Sequence, residues 1–539
     1  MPQATTPTVH FHSQTLLWPL RLLTPAGHPG MPQRRPWQCL DGAGADCPWQ
    51  PFTERFGPQG EGFAERHYHE FVTFLPYVQR FLYGGAGEQA ALRLYRRHDV
   101  AALRVQLAPG QAPITLKVDH IELFFFFDVD LIFLKVALQG QGLTLAQSQE
   151  LMYRLGRGYP SGWDAQGNAV HAPAQVEWLG AQDQVLTRSD AQQQQPFLAQ
   201  VARQRMPRVA ADWAWLLQPL VADGSAEAPP QAWRYRQIEY YRMPLMAWLA
   251  LDDPRALSRA DFVRLGLVTG AAGPDAALPF AEAHLADFEA RHCIDRFWLD
   301  GGGAPRTRYL ASGHALVVVG DAHAPFFTCA ERGVLAQFRH EHFLLFLIAH
   351  FQKAALLMFA DRLAESLRAL DVQDAESVRR FKRSIRANFE GFLRFTHRYW
   401  FHEVAEQAHA RDLFARTARQ LESEALYAEV KERIRDMSDY LDADSIRRQA
   451  NTVVRLTVVT ILGMVGTTTT GFLGMNLLDE AGAPGWQKLL WFAAIGGGSL
   501  ALTLYTMSKS KRLSDFLDVL SDERLRWWDK LRALAGVWR

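Results

Sequence analysis

Apolar and polar positions divide this chain into three regimes. Up to about residue 330, short runs rich in aromatic and β-branched residues alternate with breaks bearing Pro and Gly, the pattern of strands in a domain that also holds helices. The strand candidates are LRLYRRHDVAALRVQLA from Leu92, IELFFFFDVDLIFLKVAL from Ile121 and HALVVVGD from His314. Helices are expected between them, for example around residues 234–251. Residues 1–330 are read as a cytosolic domain of the α/β or α+β kind, α/β being the working class.

Then the punctuation stops. Pro325 is the last proline before Pro484, and Gly391 is the only glycine between Gly333 and Gly463. Because Pro and Gly cost about 3 and about 1 kcal/mol inside a helix, so long a stretch without them predicts helix almost throughout. Three helices are expected. The first, over 334–370, closes at DVQDAES, which offers a turn and a capping aspartate. The second runs over 375–409, so that 334–410 forms a helical hairpin. The third leaves Arg411, forms a stalk over 411–451 and continues to Gly474, which would make it roughly 95 Å long if unbroken.

The third regime is apolar enough to meet lipid. Residues 452–475 carry one charge, Arg455, and residues 489–507 carry none. Each is close to the ~20 residues that cross a bilayer. Arg447, Arg448 and Arg455 stand at the entrance of the first segment, and Lys509, Lys511 and Arg512 follow the second. The connection 476–488 holds Lys488 against Asp479 and Glu480. Positive-inside bias therefore places both termini in the cytosol, the connection outside, and the chain in the inner (plasma) membrane as a multi-pass protein. The tail 508–539, with Phe516, Leu517, Leu520, Trp527 and Trp528, reads as a cytosolic amphipathic segment. A further apolar run, FLLFLIAHF from Phe343, is short and ends at Gln352 and Lys353, so it is assigned to a buried helix.

The first span has a polar stripe. Thr457, Thr460, Met464, Thr467 and Gly471 recur at steps of three and four, and Thr468, Thr469 and Thr470 add hydroxyls near its outer end. Such a stripe either bonds neighbouring helices or lines water. Two spans cannot enclose a pore, but several copies of the first around an axis can. In that arrangement Thr460, Met464, Thr467 and Gly471 line the path, and Val453 or Leu456 forms an apolar constriction nearer the cytosol.

Composition narrows the function. The 539 residues predict several domains, and a formal charge of +1 gives no basic excess for nucleic acid. A mean hydropathy of −0.14 confines any membrane part to a small share of the length. Cys39, Cys47, Cys293 and Cys329 have no CxxC spacing, which points to reduced thiols rather than a zinc site or disulfide framework. The start, MPQATTPTVHFHSQ, lacks a basic and an apolar region, so no cleaved signal is expected. No Walker motif, nucleophile or acid–base pair stands out, and the chain is not read as an enzyme.

A long charged helix entering a span, the triplet Gly474-Met475-Asn476 at its outer end, a short acidic connection, a second span and a basic KSKR run together resemble the CorA family of magnesium and divalent-cation transporters. Asn451, Arg455, Leu456 and Thr457 are similar to that family's pattern at the span entrance, one residue short in spacing. The resemblance covers roughly 411–512. It implies a homopentameric funnel that moves hydrated Mg²⁺, or Co²⁺, Ni²⁺ or Zn²⁺, with the divalent ion as substrate and as regulator. Gly474, Met475 and Asn476 would be the ion filter, with Gly474 free to turn its backbone, and Asp479 and Glu480 an acidic outer mouth. Three departures bear on ion identity: Leu473 replaces the usual aromatic residue, the first span has no proline, and DEAGAPGWQK lacks the family's Met-Pro-Glu-Leu run.

Other constellations are read more plainly. His340-Glu341-His342 is not HExxH and does not share a helix face. Asp128 and Asp130 are assigned to a turn or strand edge in preference to a metal sensor. The stalk acids Glu422, Glu424, Glu429, Glu432, Asp436, Asp439, Asp442 and Asp444 read as a solvated face, the alternative being a regulatory cation site between subunits. The competing function is a membrane-anchored oligomeric sensor whose cytosolic domain does the work without conduction.

Overall fold

The computed structural model describes the chain outside residues 1–6, 24–34, 42–46, 53–64, 84–89, 226–231, 240–241, 274–275, 372–373, 475–481, 483 and 509–539. The chain divides into two compact units, Met1–Ser438 and Asp439–Arg539.

The first unit is built on one large mixed sheet. In chain order its main path consists of β1 (Thr8–Leu23), β2 (Ala102–Gln106), β3 (Ile114–Phe126), β4 (Leu131–Thr144), β5 (Gln175–Leu179), β6 (Val185–Arg188), β7 (Leu245–Leu251), β8 (Cys293–Phe297), β9 (Thr307–Ala311) and β10 (Ala315–Asp321). In space the order is β6-β5-β2-β3-β4-β1-β7-β10-β9-β8. Neighbours on this path run antiparallel, except β7 and β10, which pair in parallel from Leu245 with Ala315 to Leu251 with Asp321. A mixed α and β domain is thus present, but its predominantly antiparallel sheet differs from the parallel, doubly wound kind. The apolar segment from Ile121 folds as the hairpin of β3 and β4, and HALVVVGD supplies β10.

The described residues of 234–251 are not helical. They form the strand Arg234–Gln237 and then β7, buried at every position between β1 and β10. LMAWLAL has no alternation because both faces of a central strand are covered, and a continuous apolar run does not distinguish a buried strand from a buried helix.

The helical layer follows: α1 (Val334–Arg339), α2 (Glu341–Arg368), α3 (Ala375–Tyr399), α4 (Ala408–Gln420) and α5 (Ser423–Gly474). The first expected helix breaks at His340, which has φ −117° and ψ −85°. The second ends at Tyr399 instead of 409, with residues 400–407 outside any helix, and the third breaks at Glu422, whose φ is +54°. None of these breaks contains Pro or Gly. Gly313, at φ +77° before β10, comes so close that an added Cβ would lie 3.0 Å from the carbonyl oxygen of Gln420, so the end of α4 is seated against the β9–β10 turn. Tertiary packing sets this turn, and the sequence carries no local signal for it.

Helix α2 is apolar nearly all round, as a helix buried on all sides must be. Among the described residues, Val334–Arg368 is the one helical stretch with the length and hydropathy of a membrane span, and 78% of its most apolar window is buried within the unit. One side meets the sheet, with Phe351 stacked on Phe126 at 4.0 Å and Phe343 beside Phe124 at 5.8 Å. The other meets α3, through Phe351 and Phe395 at 6.1 Å and Phe359 and Phe392 at 5.7 Å.

Charged pairs fix this layer in register. Asp128 has φ +62° in the β3–β4 turn and accepts from Arg398 at 3.1 Å, while Asp130 pairs with Arg362. Both acids thus serve the turn and hold α2 and α3. Within the sheet, Glu122 lies opposite Lys135 and Arg96 on its two neighbours. Lys135 bonds it at 3.0 Å and stands 3.9 Å from the Phe343 ring centre. Burial pushes the Glu122 carboxyl up, but Lys135, His120 and Arg96 outweigh it and hold it at about 2.

Two outcomes follow for stability. Glu122→Ala leaves Lys135 buried without its counter-charge and costs about 3–5 kcal/mol; paired Glu122→Leu and Lys135→Met recovers most of that loss. Thermal denaturation of the purified chain measures both, and an unchanged midpoint in Glu122→Ala removes the network from the account. The second outcome concerns His350, which donates Nε2–H to the Gly313 carbonyl at 3.2 Å and is held by burial and then Lys353 at about 3, from an ordinary 6.5. A histidine kept neutral stabilises the fold above its unfolded value, and that contribution is lost as pH falls from 6.5 toward 3. His350→Gln should therefore flatten the fall in melting temperature between about pH 7 and about pH 5; the same slope as the parent would assign the acid sensitivity elsewhere.

Candidate functional site

The residues singled out from sequence converge on the second unit, where the far part of α5 meets α6 (Gly485–Ser508). Both predicted spans are helical over their described residues. From Leu489 to Ser508, α6 has no charged residue, which leaves a large apolar surface rather than an amphipathic one.

Threonine makes α5 distinctive. Thr467 donates its hydroxyl to the Gly463 carbonyl at 2.9 Å, Thr469 to Val465 at 2.7 Å, and Thr470 to Gly466 at 2.9 Å. Each proton is spent one turn back on the helix itself, so the hydroxyl needs no other acceptor and its oxygen keeps lone pairs for a donor outside. A β-branched polar residue can then sit in apolar surroundings at little cost.

The threonines face different ways. Thr469 is 2% exposed, and a Cβ added at Gly496 of α6 would lie 3.7 Å from its methyl group. That is ordinary van der Waals contact, so the two helices touch at this point. On the other face, Val453, Thr460, Met464, Thr467 and Gly471 are all exposed. At ~100° per residue they fall within one narrow stripe, and Thr469 lies roughly 160–180° around the helix from its centre. The predicted stripe is thus the face that α6 leaves uncovered. The Leu456 and Thr457 side chains lie outside the described residues.

Large apolar side chains in this unit are widely exposed, Leu489 at 70%, Trp486 at 66% and Met464 at 60% among them. Such contiguous apolar surface marks a membrane or partner contact.

Gly474 is the last residue of α5, and an added Cβ would meet nothing within 4 Å. It keeps a helical backbone with no left-handed φ, so the turning freedom expected of it is not used at that residue. Met475, Asn476, Asp479 and Glu480 lie outside the described residues, as does the tail from residue 509. Of the stalk acids, Glu424 meets His402 at 3.2 Å, and Glu429 pairs with Arg433 one turn on. Glu432, Asp436 and Asp439 are exposed, and the Asp442 and Asp444 side chains are outside the described residues.

No described group of three or more His, Cys, Asp or Glu side chains is arranged to hold a metal. His340 faces Glu70 at 3.2 Å, while His342 is buried against Tyr309 and His409 at 5.6 and 5.5 Å, so the two histidines diverge. Burial holds His342 at about 3, while burial and then Glu70 push Glu341 up to about 7. The four cysteines are free thiols. The Thr469–Gly496 contact was not read from sequence, although Gly496-Gly497-Gly498 in an uncharged helix is a signal that points to it.

Cross-linking tests the two faces. In a background freed of native cysteines, Thr469→Cys with Gly496→Cys should oxidise to a bridge within one chain, whereas Thr467→Cys with Gly496→Cys should not. A bridge from the second pair and none from the first would reverse the assignment. No protein-family model matches this chain and no curated protein matches it, so the reading of this hairpin rests on its own residues.

Proposed function

We propose that the protein is a divalent-cation channel or transporter, with Mg²⁺ as the foremost substrate and Co²⁺, Ni²⁺ or Zn²⁺ as alternatives. Copies of α5 surround an axis with the stripe Val453, Leu456, Thr460, Met464, Thr467 and Gly471 turned inward, and α6 lies outside them against lipid. A homopentamer in the plasma membrane with cytosolic termini agrees with the flanking charges and with the CorA resemblance. The observation that carries this reading is the hydroxyl-bearing stripe on the face of α5 opposite its contact with α6.

The chemistry suits a hydrated ion. Mg²⁺ gives up water reluctantly, so a conduit that bonds to its water shell costs less than one that strips it. Water in that shell presents hydrogens outward, and back-bonded threonines present oxygen lone pairs to them. At the outer end, the Asn476 carboxamide and the Gly474 carbonyl, repeated around the axis, supply neutral oxygens, and Asp479 and Glu480 raise the local cation concentration. A membrane potential of about 100 mV gives an entering divalent ion roughly 4.6 kcal/mol, twice the single-charge value, so no nucleotide hydrolysis is needed.

Purified protein in liposomes with a Mg²⁺- or Zn²⁺-sensitive dye tests the proposal. Uptake above empty vesicles is expected, and flux for no divalent ion would leave an oligomeric sensor without conduction. Asn476→Ala should abolish uptake while the oligomer still assembles, and full uptake in that variant would refute the filter.

A further inference from the structure

A cleft of about 360 Å³ opens in the first unit where the end of β1 meets α2 and α3. Arg21, Arg362 and Arg380 line it against two carboxylates, Asp130 and Glu365, an excess of one positive charge. Leu22 and Phe381 give it an apolar wall, and Ser384 and Asn388 add polar groups. Its volume is in the range of small-molecule sites, and few proteins have more than a handful of these.

One buried group in its wall lacks an acceptor. Arg21 is 8% exposed; its Nη1 meets Asp361 at 2.6 Å and Glu365 at 2.9 Å, but its Nε has no hydrogen-bond acceptor. Asn388, 5% exposed, brings a carboxamide to the same cleft. Buried polar groups are ordinarily satisfied, so an unsatisfied guanidinium nitrogen in the wall of a cleft points to a ligand. The serines add a direction. Ser366 donates to the Arg362 carbonyl at 2.8 Å and lies 2.6 Å from the Ser384 oxygen, so Ser384 donates to Ser366 and keeps an acceptor for a ligand hydroxyl.

We propose that this cleft binds a small organic phosphate of nucleoside monophosphate size. Arg380 stands on the rim with its side chain 66% exposed and a long 3.8 Å contact to Asp374, so it can turn to a phosphate without breaking a tight pair. Arg21 Nε and the Asn388 amide donate to phosphate or ring acceptors, the Ser384 oxygen accepts from a sugar hydroxyl, and the ring lies against Leu22 and Phe381. Guanidinium groups suit phosphate because they present paired donors in one plane. The site is distinct from the ion path and does not depend on it.

Calorimetric titration of the full chain in detergent with AMP, and separately with inorganic phosphate, tests the proposal. AMP should bind at least tenfold more tightly than phosphate. Arg380→Glu, on an exposed position that leaves the fold intact, should weaken AMP at least tenfold, as should Asn388→Leu, while Arg386→Glu on the far side of α3 should not. No AMP binding at millimolar concentration overturns the site, as does equal binding of AMP and phosphate or unchanged affinity in Arg380→Glu. Because the readout is binding without flux, a failed transport assay leaves this result standing, and the reverse also holds.

Discussion

Phe351 stacks on Phe126 at 4.0 Å, and the burial of the helix that carries it is the constraint around which the first unit is organised. A helix apolar on every side cannot rest on a surface; it needs a sheet beneath it and helices above. The sheet extends its longest strands, Thr8–Leu23, Ile114–Phe126 and Leu131–Thr144, under it, and Ala375–Tyr399 closes over it. At ~25 cal/mol per Å² of apolar surface, a helix of this kind contributes more to burial than any single charged pair around it. The pairs have another task. Asp128 with Arg398 and Asp130 with Arg362 tie one turn to two helices, so the layer that burial holds in place is also held in register.

The second unit inverts that constraint. Its two helices have the same apolar character, yet they leave most of it exposed, with Thr469 the one described side chain fully buried. What the first unit satisfies by folding inward, this hairpin leaves open over its described residues. The threonines are compatible with apolar surroundings, because each returns its proton to the helix backbone. The contact at Gly496 orients the pair by assigning one face of the longer helix to its neighbour, and that leaves the hydroxyl stripe opposite.

Local chemistry was legible wherever a residue acts through its own backbone or through spacing. Loss of Pro and Gly after Pro325 announced the helices, the capping aspartate at Asp374 does bond the amides of Glu376 and Ser377, and of the residues that recur at steps of three and four, Thr460, Met464, Thr467 and Gly471 are exposed on one face. The short apolar run from Phe343 was correctly placed in the interior because polar Gln352 and Lys353 interrupt it. The hydroxyl stripe was legible as spacing, but its helix's contact with the next was not, since a contact between Thr469 and Gly496 depends on how the chain returns.

The sequence by itself determined that the chain after residue 334 is mostly helical, which runs are apolar, and where hydroxyls and charges recur, because these depend on propensity and period alone. Tertiary structure decided that residues 245–251 are a strand, that the helices break at His340 and Glu422, and that Arg21 and Asn388 share one cleft. The reason is the same in each case. A run apolar on all sides has no period to read, a turn seated by Gly313 has no breaker of its own, and residues far apart in the chain meet only when the sheet and helices have packed.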